Sequence, residues 1–381
     1  MSRFTRSTAH GVSTDGSGRI RVVHVVKGLG PGGAERLILN QLRSADRSAF
    51  DYRVLRLIEA KDHLVPEIEE LGVPVGLVGS GAGWPLKLRK MLRAERPDVV
   101  HVHSPVIASF VRVSNLLSGR QFRIVTTEHN RWPRHHRLTR LANRLTVGLD
   151  DATIAVSDDV LASMSARARQ RTRALRHGIP IAEVRSAGDQ RDHMRTTLGL
   201  DGVAVGIVAN FRPEKAYDVF LAAVHEAAGR NGDLHFVVVG QGPGEADFRS
   251  AVAAGPYADR ISVLGYRADA RQVMAAFDVF TLSSRHEGLP VSLMEAFALG
   301  LPVVATRAGG VPEAVRDGVE GILVAVDDVA ALADGWVRLA EDPALRAEMA
   351  QAASMAASSF DAASSTREIE SSYRRLMTGS G

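Results

Sequence analysis

The sequence predicts an α/β protein built from two doubly wound, Rossmann-like domains that face each other across a cleft. Short β-branched runs alternate with longer segments of helical periodicity in two blocks along the chain, and this alternation is typical of parallel sheets covered by helices. Several runs are apolar on both faces, as strands buried between two helical layers require. A length of 381 residues also favours two domains over one core.

The predicted strands divide into two equal groups, and ligands are expected at their carboxyl ends. Those of the first block are Ile20–Val26, Tyr52–Ile58, Val73–Val78, Val99–His103, Ile124–Glu128 and Thr153–Ser157. Those of the second block are Val203–Ala209, His235–Gly240, Ile261–Leu264, Val279–Ser283, Val303–Thr306 and Ile322–Val324.

Changes in composition define the expected domain boundaries. The first residues are rich in Ser, Thr and Gly without a continuous apolar run, which indicates a flexible leader and not a signal peptide. A polar stretch that contains Pro180 and Gly188 separates the two blocks and is interpreted as the linker. For the final helix, one hypothesis is that it packs back on the N-terminal domain. The resulting division is leader 1–18, N-terminal domain 19–182, linker 183–195, C-terminal domain 196–360 and C-terminal helix 361–381.

Composition limits the compartment and the partners. The chain has no cysteine, which excludes disulfides and thiolate metal sites and favours a reducing cytoplasm. No stretch is long and apolar enough to predict a membrane span. Residues 1–180 carry 29 Lys and Arg against 16 Asp and Glu, whereas the remaining residues carry 18 against 27. A basic first half and an acidic second half predict two domains with different partners.

A glycine-rich loop follows the first predicted strand. Gly28, Gly30 and Gly33 match the pattern G-x-G-x-x-G, and Glu59 follows the second strand, so one interpretation is a nicotinamide or flavin site. A second interpretation is a tight turn without a ligand. A third takes Gly32 and Gly33 as a backbone wall that faces a diphosphate or an acceptor across the cleft.

The strongest local signal is a pair of glutamates in the second block. A buried strand ends at Ser283, a polar loop contains Glu287, and Glu295 follows in the next helix, with Pro290 at its first turn. Gly288 and the adjoining N–H groups would face the same cleft and could hold phosphate oxygens. Carboxylates accept hydrogen bonds from sugar hydroxyls and amides donate to diphosphates, so the pattern suits a sugar nucleotide. The alternative is a helix whose first turn carries unrelated acids.

The wider context of this pair is similar to the family-4 retaining glycosyltransferases, which have the GT-B fold. The motifs that carry the resemblance are the E-x7-E spacing and Glu-Gly-Leu-Pro, Met-Glu-Ala, Gly-Leu-Pro-Val-Val-Ala-Thr and Gly-Gly-Val-Pro-Glu around it, with Gly-Gly-Ala-Glu-Arg at 32–36. The likeness extends over nearly the whole chain. It implies a metal-independent enzyme without a cofactor, which uses a nucleotide diphosphate sugar as co-substrate.

The resemblance also implies roles for single residues. Glu287 matches the acid that contacts the transferred sugar, and Glu295 matches the acid that holds the ribose hydroxyls. Gly288, Leu289 and Pro290 form the loop that approaches the sugar and the diphosphate, with N–H groups from the first two only. The segment that brackets the base through backbone contacts corresponds to Gly265, Tyr266 and Arg267.

A basic pair is expected after the first strand of the second domain. The family places an Arg and a Lys there, because without a metal cationic side chains must offset the charge of the leaving diphosphate. Lys215 matches this Lys. The usual position of the Arg holds Asn210 in this chain, and Arg212 is assigned its role from two residues further on. The alternative for Arg212 is a solvated side chain beside a proline turn.

Histidines at two strand ends raise the question of a metal site. His101 and His103 alternate at the end of one strand, and His129 lies at the end of the other. However, no acidic residue lies at a spacing that would complete a metal site with them. The segment around His129 resembles the stretch that touches the donor sugar, and a neutral imidazole offers both a donor and an acceptor to hydroxyls. His103 is interpreted as a buried, hydrogen-bonded histidine.

The positive charge of the first domain is concentrated in segments 84–96, 131–144 and 167–176, the first two with leucines at helical spacing. Such amphipathic helices either bind an anionic membrane surface or pack on a sheet with solvated arginines outside. Nucleic acid is not expected, since no aromatic-studded strand or recognition helix accompanies the charge.

The resulting prediction is a retaining transferase that moves a hexose-type sugar from a UDP- or GDP-linked donor to a hydroxyl. The acceptor would be a glycan, a lipid-linked molecule or a small molecule, met at the cytoplasmic face of a membrane or in the cytoplasm. The alternatives are another activity of the same fold, a non-catalytic GT-B subunit or scaffold at the membrane, and a dinucleotide-dependent oxidoreductase.

Overall fold

A computed structural model describes residues 18–379 and consists of two parallel-sheet α/β domains. The predicted fold class is therefore confirmed. The predicted leader lies outside the described residues, except for Gly18.

The N-terminal domain has seven strands and seven α-helices. The strands are β1 (Ile20–Val26), β2 (Phe50–Arg56), β3 (Val75–Leu77), β4 (Val99–Val102), β5 (Arg123–Glu128), β6 (Ala152–Ala155) and β7 (Thr172–Ala174). The helices are α1 (Gly33–Arg43), α2 (Val65–Glu70), α3 (Trp84–Glu95), α4 (Pro105–Leu117), α5 (Arg137–Thr146), α6 (Asp158–Ala162) and α7 (Ala166–Arg169), with 3₁₀ turns at Trp132–Arg134 and Val147–Leu149.

Residues 181–379 supply six more strands and ten α-helices. The strands are β8 (Val203–Val208), β9 (Leu234–Val239), β10 (Ile261–Gly265), β11 (Val279–Leu282), β12 (Val303–Thr306) and β13 (Gly321–Val324). The helices are α8 (Ile181–Ser186), α9 (Arg191–Leu198), α10 (Tyr217–Arg230), α11 (Glu245–Ala254), α12 (Ala270–Ala275), α13 (Val291–Ala298), α14 (Val311–Ala314), α15 (Val329–Glu341), α16 (Pro343–Ala356) and α17 (Ala362–Thr378), with 3₁₀ turns at Ala187–Gln190, Pro213–Lys215, Ala258–Arg260 and Ala357–Phe360.

Strand order places a switch point in each sheet. The first sheet runs β3-β2-β1-β4-β5-β6-β7 and the second β10-β9-β8-β11-β12-β13, with every recorded pairing parallel, as between β1 and β4 and between β8 and β11. The order reverses between β1 and β4 and again between β8 and β11. Connections on either side of such a point leave in opposite directions and open a crevice at the carboxyl ends of the strands.

The C-terminal helix α17 returns to the N-terminal domain. Ile369 and Tyr373 belong to the same buried apolar cluster as β1 and β2 residues of the first sheet. Tyr52 donates a hydrogen bond to Glu370 at 2.9 Å. The chain thus crosses between the domains twice, once near residue 180 and once near residue 361, where Ile179 and Asp361 form an isolated bridge.

The structure differs from the sequence-based expectation in two segments. The linker expected at 183–195 is mostly helical, with α8, a 3₁₀ turn and α9, and Arg191 and Arg195 both bind Asp278 of the C-terminal domain. The arginine-rich segment 167–176, for which no strand was predicted, contains the end of the four-residue helix α7 and the edge strand β7. That strand was not predicted, because three polar or small residues at a sheet edge carry no apolar pattern.

Candidate active site

A cleft of about 1310 Å³ lies between the two domains, at the carboxyl ends of both sheets. Its walls include every predicted site residue except Gly265: Gly32, Gly33, His129, Arg212, Lys215, Tyr266, Arg267, Glu287, Gly288, Leu289, Pro290 and Glu295. Gly265 lies behind the wall with a positive φ of 70°, and its carbonyl accepts a hydrogen bond from Gly240 at 2.9 Å.

Lys215 and Glu287 form an ion pair at the second switch point. Lys215 ends the 3₁₀ turn after β8, and Glu287 lies in the loop after β11. The ammonium Nζ lies 2.6 and 2.8 Å from the two carboxylate oxygens, and Ser284 Oγ donates to Glu287 Oε1 at 2.6 Å. The two side chains are only 19% and 7% exposed. A cation and an anion are thus held side by side at the cleft surface, where water screens them little.

The backbone next to Lys215 adopts an uncommon conformation. Ala216 has φ 50° and ψ 51°, the left-handed region, and is buried. A residue with a Cβ is disfavoured there by about 1 kcal/mol or more. The surrounding packing therefore imposes this turn, which directs the chain from the 3₁₀ turn into α10 directly after Lys215.

The loop that carries Glu287 is fitted closely between two backbones. Gly310 N–H donates to the Gly288 carbonyl at 2.8 Å, and a Cβ on Gly309 would lie 2.0 Å from the Glu287 carbonyl oxygen. A Cβ on Gly288 would lie 2.9 Å from the carbonyl oxygen of His129, in the other domain. Because glycine at 288 has no side chain, the loop can pack directly against the backbone of the N-terminal domain.

Glu295 is buried in α13 and paired with an arginine that the sequence analysis missed. Arg271 of α12 donates to Glu295 Oε1 at 2.8 Å and to Glu183 Oε1 at 2.6 Å. Glu183 also accepts from Arg43 of the N-terminal domain at 3.1 Å. The expected ribose acid therefore terminates a chain of ion pairs that crosses between the domains.

Arg212, by contrast, is held only loosely by the residues that the structure describes. Its side chain is 54% exposed and its nearest recorded acidic partner is Glu214, at 3.9 Å. It lies on the cleft wall, as does Asn210. An exposed guanidinium with one loose contact is free to move toward an anion that enters the cleft.

Tyr266 and Arg267 face the opening of the cleft. Tyr266 is 45% exposed and its ring meets the edge of the His63 ring from the N-terminal domain, with centroids 6.2 Å apart. Arg267 is bound by Asp269 at 2.6 and 2.7 Å. The Arg267 side chain is thus engaged by a neighbour, whereas the Tyr266 ring stays partly exposed beside His63.

The glycine-rich loop forms the N-terminal side of the cleft. Gly32 is the N-cap of α1, and a Cβ on Gly33 would lie 3.4 Å from Val291 of the opposite domain. Glu35, which the sequence analysis did not single out, lies on the same wall. Burial raises the pKa of its carboxyl group, and the charges of Lys61 and Arg212 oppose that shift only in part.

Histidines form a cluster below the cleft. His24 and His101 lie opposite each other in the register of β1 and β4, and both are fully buried. Burial, with smaller contributions from neighbouring charges, lowers the pKa of His24 and of His129 to about 3. His103 is likewise held neutral, with a pKa well below its usual value. These imidazoles therefore act as neutral hydrogen-bonding groups at neutral pH.

Ring nitrogens of His24, His101 and His103 come within 4.8 Å of one another, close enough for a metal site. However, His101 Nδ1 is already bonded to the Tyr373 hydroxyl at 2.5 Å and its Nε2 to Thr127 Oγ1 at 2.7 Å. Both nitrogens of His103 are also engaged by other histidines. The cluster is a hydrogen-bonded network in which His101 and His103 offer no free nitrogen.

His24 is a residue that sequence reasoning missed, although a signal was present. A histidine between the valines of the run Val22–Val26 is costly to bury unless it has a partner. The same signal occurs at His101 in the neighbouring strand. Arg271 carried no such signal, because an arginine in the first turn of a short helix is ordinary.

Comparison with known proteins identifies two family matches. Residues 202–342 match the family described as glycosyl transferases group 1, and residues 31–183 match glycosyltransferase family 4. Together these matches span more than half of the chain.

Curated relatives are similar over most of their length. The putative glycosyltransferase EpsF of Bacillus subtilis is 28% identical, over 76% of this chain and 79% of its own. The α-D-kanosaminyltransferase of Streptomyces kanamyceticus is 26% identical, over 79% of this chain and 84% of its own.

Solved structures share the fold. HepE of Anabaena in complex with UDP and glucose superposes with a TM-score of 0.82 at 22% identity, over 93% of this chain and 99% of that chain. Sucrose-phosphate synthase of Thermosynechococcus elongatus superposes with a TM-score of 0.76 at 17% identity, over 94% of this chain and 100% of that chain.

Proposed function

Because the chain belongs to the group 1, family 4 glycosyltransferases with the GT-B fold, we propose that it is a retaining, metal-independent enzyme. It transfers a hexose-type sugar from a UDP- or GDP-linked donor to a hydroxyl of a glycan, a lipid-linked molecule or a small molecule. The observation that carries this proposal is the Lys215–Glu287 pair at the switch point of the second sheet. The solved complex of HepE with UDP and glucose supports the choice of donor class. The dinucleotide alternative for Gly28, Gly30 and Gly33 has no such support.

The proposed mechanism relies on charges that are in place before the reaction. Lys215 and Arg212 bind the diphosphate and offset the charge that develops as it leaves. Backbone N–H groups of Gly288 and Leu289 donate to the same phosphates. Because no metal takes part in this proposal, these cations and amides supply the whole of the electrostatic stabilisation.

The sugar is oriented from both domains. Glu287 faces the developing positive charge at the anomeric carbon, and His129 contacts a sugar hydroxyl from the opposite wall. The acceptor oxygen bonds to the anomeric carbon on the face that the diphosphate leaves, so configuration is retained. The acceptor proton passes to the departing phosphate oxygen as the carbon–oxygen bond breaks. Closure of the cleft excludes water that would otherwise compete as acceptor.

Turnover of a panel of UDP-, GDP- and ADP-sugars tests the proposal. We expect one donor class to release its nucleoside diphosphate slowly without acceptor, to raise the melting temperature on binding, and to lose turnover in Lys215→Met. The matched control is Lys90→Met, at an exposed lysine of α3. A folded wild-type protein that binds a sugar nucleotide but never turns it over would indicate a non-catalytic subunit instead.

Glu295→Gln tests the assignment of the ribose site. The substitution weakens the acceptors offered to two hydroxyls and leaves Arg271 with a poorer partner. We expect the donor KM to rise about tenfold with kcat changed less than threefold, since the ribose is bound equally in ground and transition states. Steady-state kinetics with the preferred donor measure this. A fall in kcat at constant KM would place Glu295 near the reacting carbon and contradict the assignment.

A second proposal concerns the place at which the enzyme meets its acceptor. It rests on an exposed surface of the N-terminal domain. Helices α3, α4 and α5 lie side by side and expose large apolar side chains between basic ones. The exposed leucines are Leu86 at 75%, Leu116 at 48%, Leu117 at 80%, Leu138 at 71%, Leu141 at 54% and Leu145 at 74%. Among residues 18–379, none of the helices is both long and apolar enough to cross a membrane.

We propose that this leucine-rich face of α3–α5 binds an anionic membrane surface at the cytoplasmic side, as a peripheral contact. Leu138, Leu141 and Leu145 form one stripe of α5, and Arg137, Arg140 and Arg144 lie exposed beside it. Apolar insertion combined with attraction to anionic headgroups is how such helices bind membranes. A lipid-linked acceptor would then be presented close to the cleft.

Co-sedimentation with vesicles tests this surface. We expect binding to anionic vesicles to exceed binding to neutral ones, and to fall about tenfold or more when Leu138, Leu141 and Leu145 are all changed to Ser. The control is Met355→Ser, at a methionine of the C-terminal domain that is 71% exposed. Equal partitioning of the wild type to neutral and anionic vesicles would contradict the proposal.

A further inference from the structure

Three histidines form a hydrogen-bonded row that leads from the core of the N-terminal domain to the cleft. His24 Nδ1 lies 2.9 Å from His103 Nε2, and His103 Nδ1 lies 3.2 Å from His129 Nε2. The rings of His24 and His103 are stacked, with centroids 5.2 Å apart. His24 is fully buried in β1, whereas His129 lies on the cleft wall. The row therefore connects a cleft residue to a side chain that has no access to solvent.

Each neutral imidazole carries one N–H, so the row has only two consistent arrangements of its protons. In the outward arrangement, His24 Nδ1–H donates to His103 and His103 Nδ1–H donates to His129 Nε2. The proton of His129 is then on Nδ1. In the inward arrangement every donor is reversed, and His24 carries its proton on Nε2.

The buried end of the row decides between the two arrangements. His24 Nε2 has no hydrogen-bond partner among the described residues and is shielded from solvent. In the inward arrangement this atom would be a buried N–H without an acceptor, and such orphaned donors are rarer in proteins than under-satisfied acceptors. In the outward arrangement it is a bare lone pair, which is tolerated more often. The outward arrangement is therefore the more stable one.

We propose that His24 and His103 are positioning residues that fix His129 in the tautomer with its proton on Nδ1, so that His129 donates a hydrogen bond to an oxygen of the bound sugar. His129 Nε2 is taken by His103, and Nδ1 has no recorded partner within residues 18–379. A ring free to exchange tautomers would present a donor in only part of the molecules. The inference rests on the proposed function for the identity of the ligand, but the tautomer itself does not depend on it.

Nitrogen-15 NMR of the full-length, histidine-labelled protein at neutral pH tests the tautomer without any assay of activity. Long-range proton–nitrogen correlations distinguish a protonated Nδ1 from a protonated Nε2, and His129→Asn identifies the signals. We expect His129 to carry its proton on Nδ1 and His103 to do the same. A protonated Nε2 on His129, or an even mixture, would overturn the proposal even if the protein transfers sugar.

Two substitutions of His103 distinguish the effect of its hydrogen bond to His129 from the effect of its side-chain volume. Asn at 103 retains a side-chain amide that can reach the place of Nδ1 and donate to His129, whereas Phe fills the space without a donor. We expect His103→Phe to lower kcat about tenfold, the equivalent of one hydrogen bond, with a mixture of His129 tautomers. His103→Asn should recover most of the turnover and the single tautomer.

His24→Phe breaks the row one step further back and removes the donor that orients the His103 ring, while an N–H on His103 Nε2 would have no acceptor beside the phenyl ring. We therefore expect the protons of His103 and His129 to stay on Nδ1 and a smaller loss of kcat, with His193→Asn, at an exposed residue of α9, as the unaffected control. Equal activity and an unchanged His129 tautomer in folded His103→Phe would refute the proposal. If no variant and no donor show any turnover, the proposed function fails while the tautomer measurement still decides the inference.

Discussion

Glu287→Gln is expected to lower kcat by about 10²–10³-fold while the donor KM changes by no more than a few fold. The amide has the shape of the carboxylate and retains an acceptor for Ser284, but it removes the negative charge that faces the anomeric carbon. A preorganised charge at the reacting centre contributes this much when it acts mainly on the transition state. Initial-rate kinetics with saturating donor and acceptor measure the effect.

The matched control is Glu348→Gln, which removes an exposed glutamate of α16 that does not line the cleft. It should leave kcat, KM and the melting temperature unchanged. If folded Glu287→Gln retained kcat within threefold of wild type, the carboxylate would have no role in the chemical step. The Lys215–Glu287 pair would then be a structural ion pair only.

Stability is expected to fall steeply between pH 6.5 and pH 5.5. His24, His101, His103, His129 and His177 all have pKa values lowered chiefly by burial, the first and fourth to about 3 and the last to about 4. Their unfolded pKa is 6.5. The stabilisation is therefore complete above pH 6.5 and is lost as the pH falls toward the folded values, because only the unfolded chain binds the protons.

Up to five protons contribute, each worth about 1.4 kcal/mol per pH unit once the unfolded histidines are protonated. Carboxyl groups with an ordinary pKa near 4 add little in this window. The carboxyl groups of Glu35, Asp150 and Glu370, whose pKa burial raises, reduce the slope where they bind protons in the folded protein. Urea unfolding at intervals of half a pH unit measures the slope. Stability that is flat from pH 6.5 to pH 5.5 would mean that the cluster is hydrated or already protonated in the folded protein.

His177→Phe provides a specific check on this slope. Neither ring nitrogen of His177 makes a hydrogen bond of normal geometry within residues 18–379, although the ring is buried. An apolar ring of similar size removes two unsatisfied polar atoms and one titrating group. The variant should be as stable as wild type at pH 7.5, or more so, and its slope should be smaller by about one proton.

Much of the fold was predictable because its signals are local. The apolar runs of β1, β4 and β8 are read directly from short stretches of sequence, since strands buried on both faces need no partner to be recognised. The edge strand β7 and the helices at 181–198 were not predicted, because their conformation depends on contacts with distant residues such as Asp278. Local pattern fails where tertiary contacts supply the stabilisation.

The candidate site likewise has a part that the sequence predicts and a part that only the structure shows. The sequence by itself determined the family and the loop and helix from Glu287 to Glu295, because their spacing lies within one strand–loop–helix unit. Only the tertiary structure decided that Lys215 meets Glu287, that Arg271 holds Glu295 and that His24 stands behind His129. These partners are far apart along the chain, and the parallel register and the switch points of the two sheets bring them together. Charge pairing and tautomer depend on distances of a few ångströms, which residue order alone does not specify.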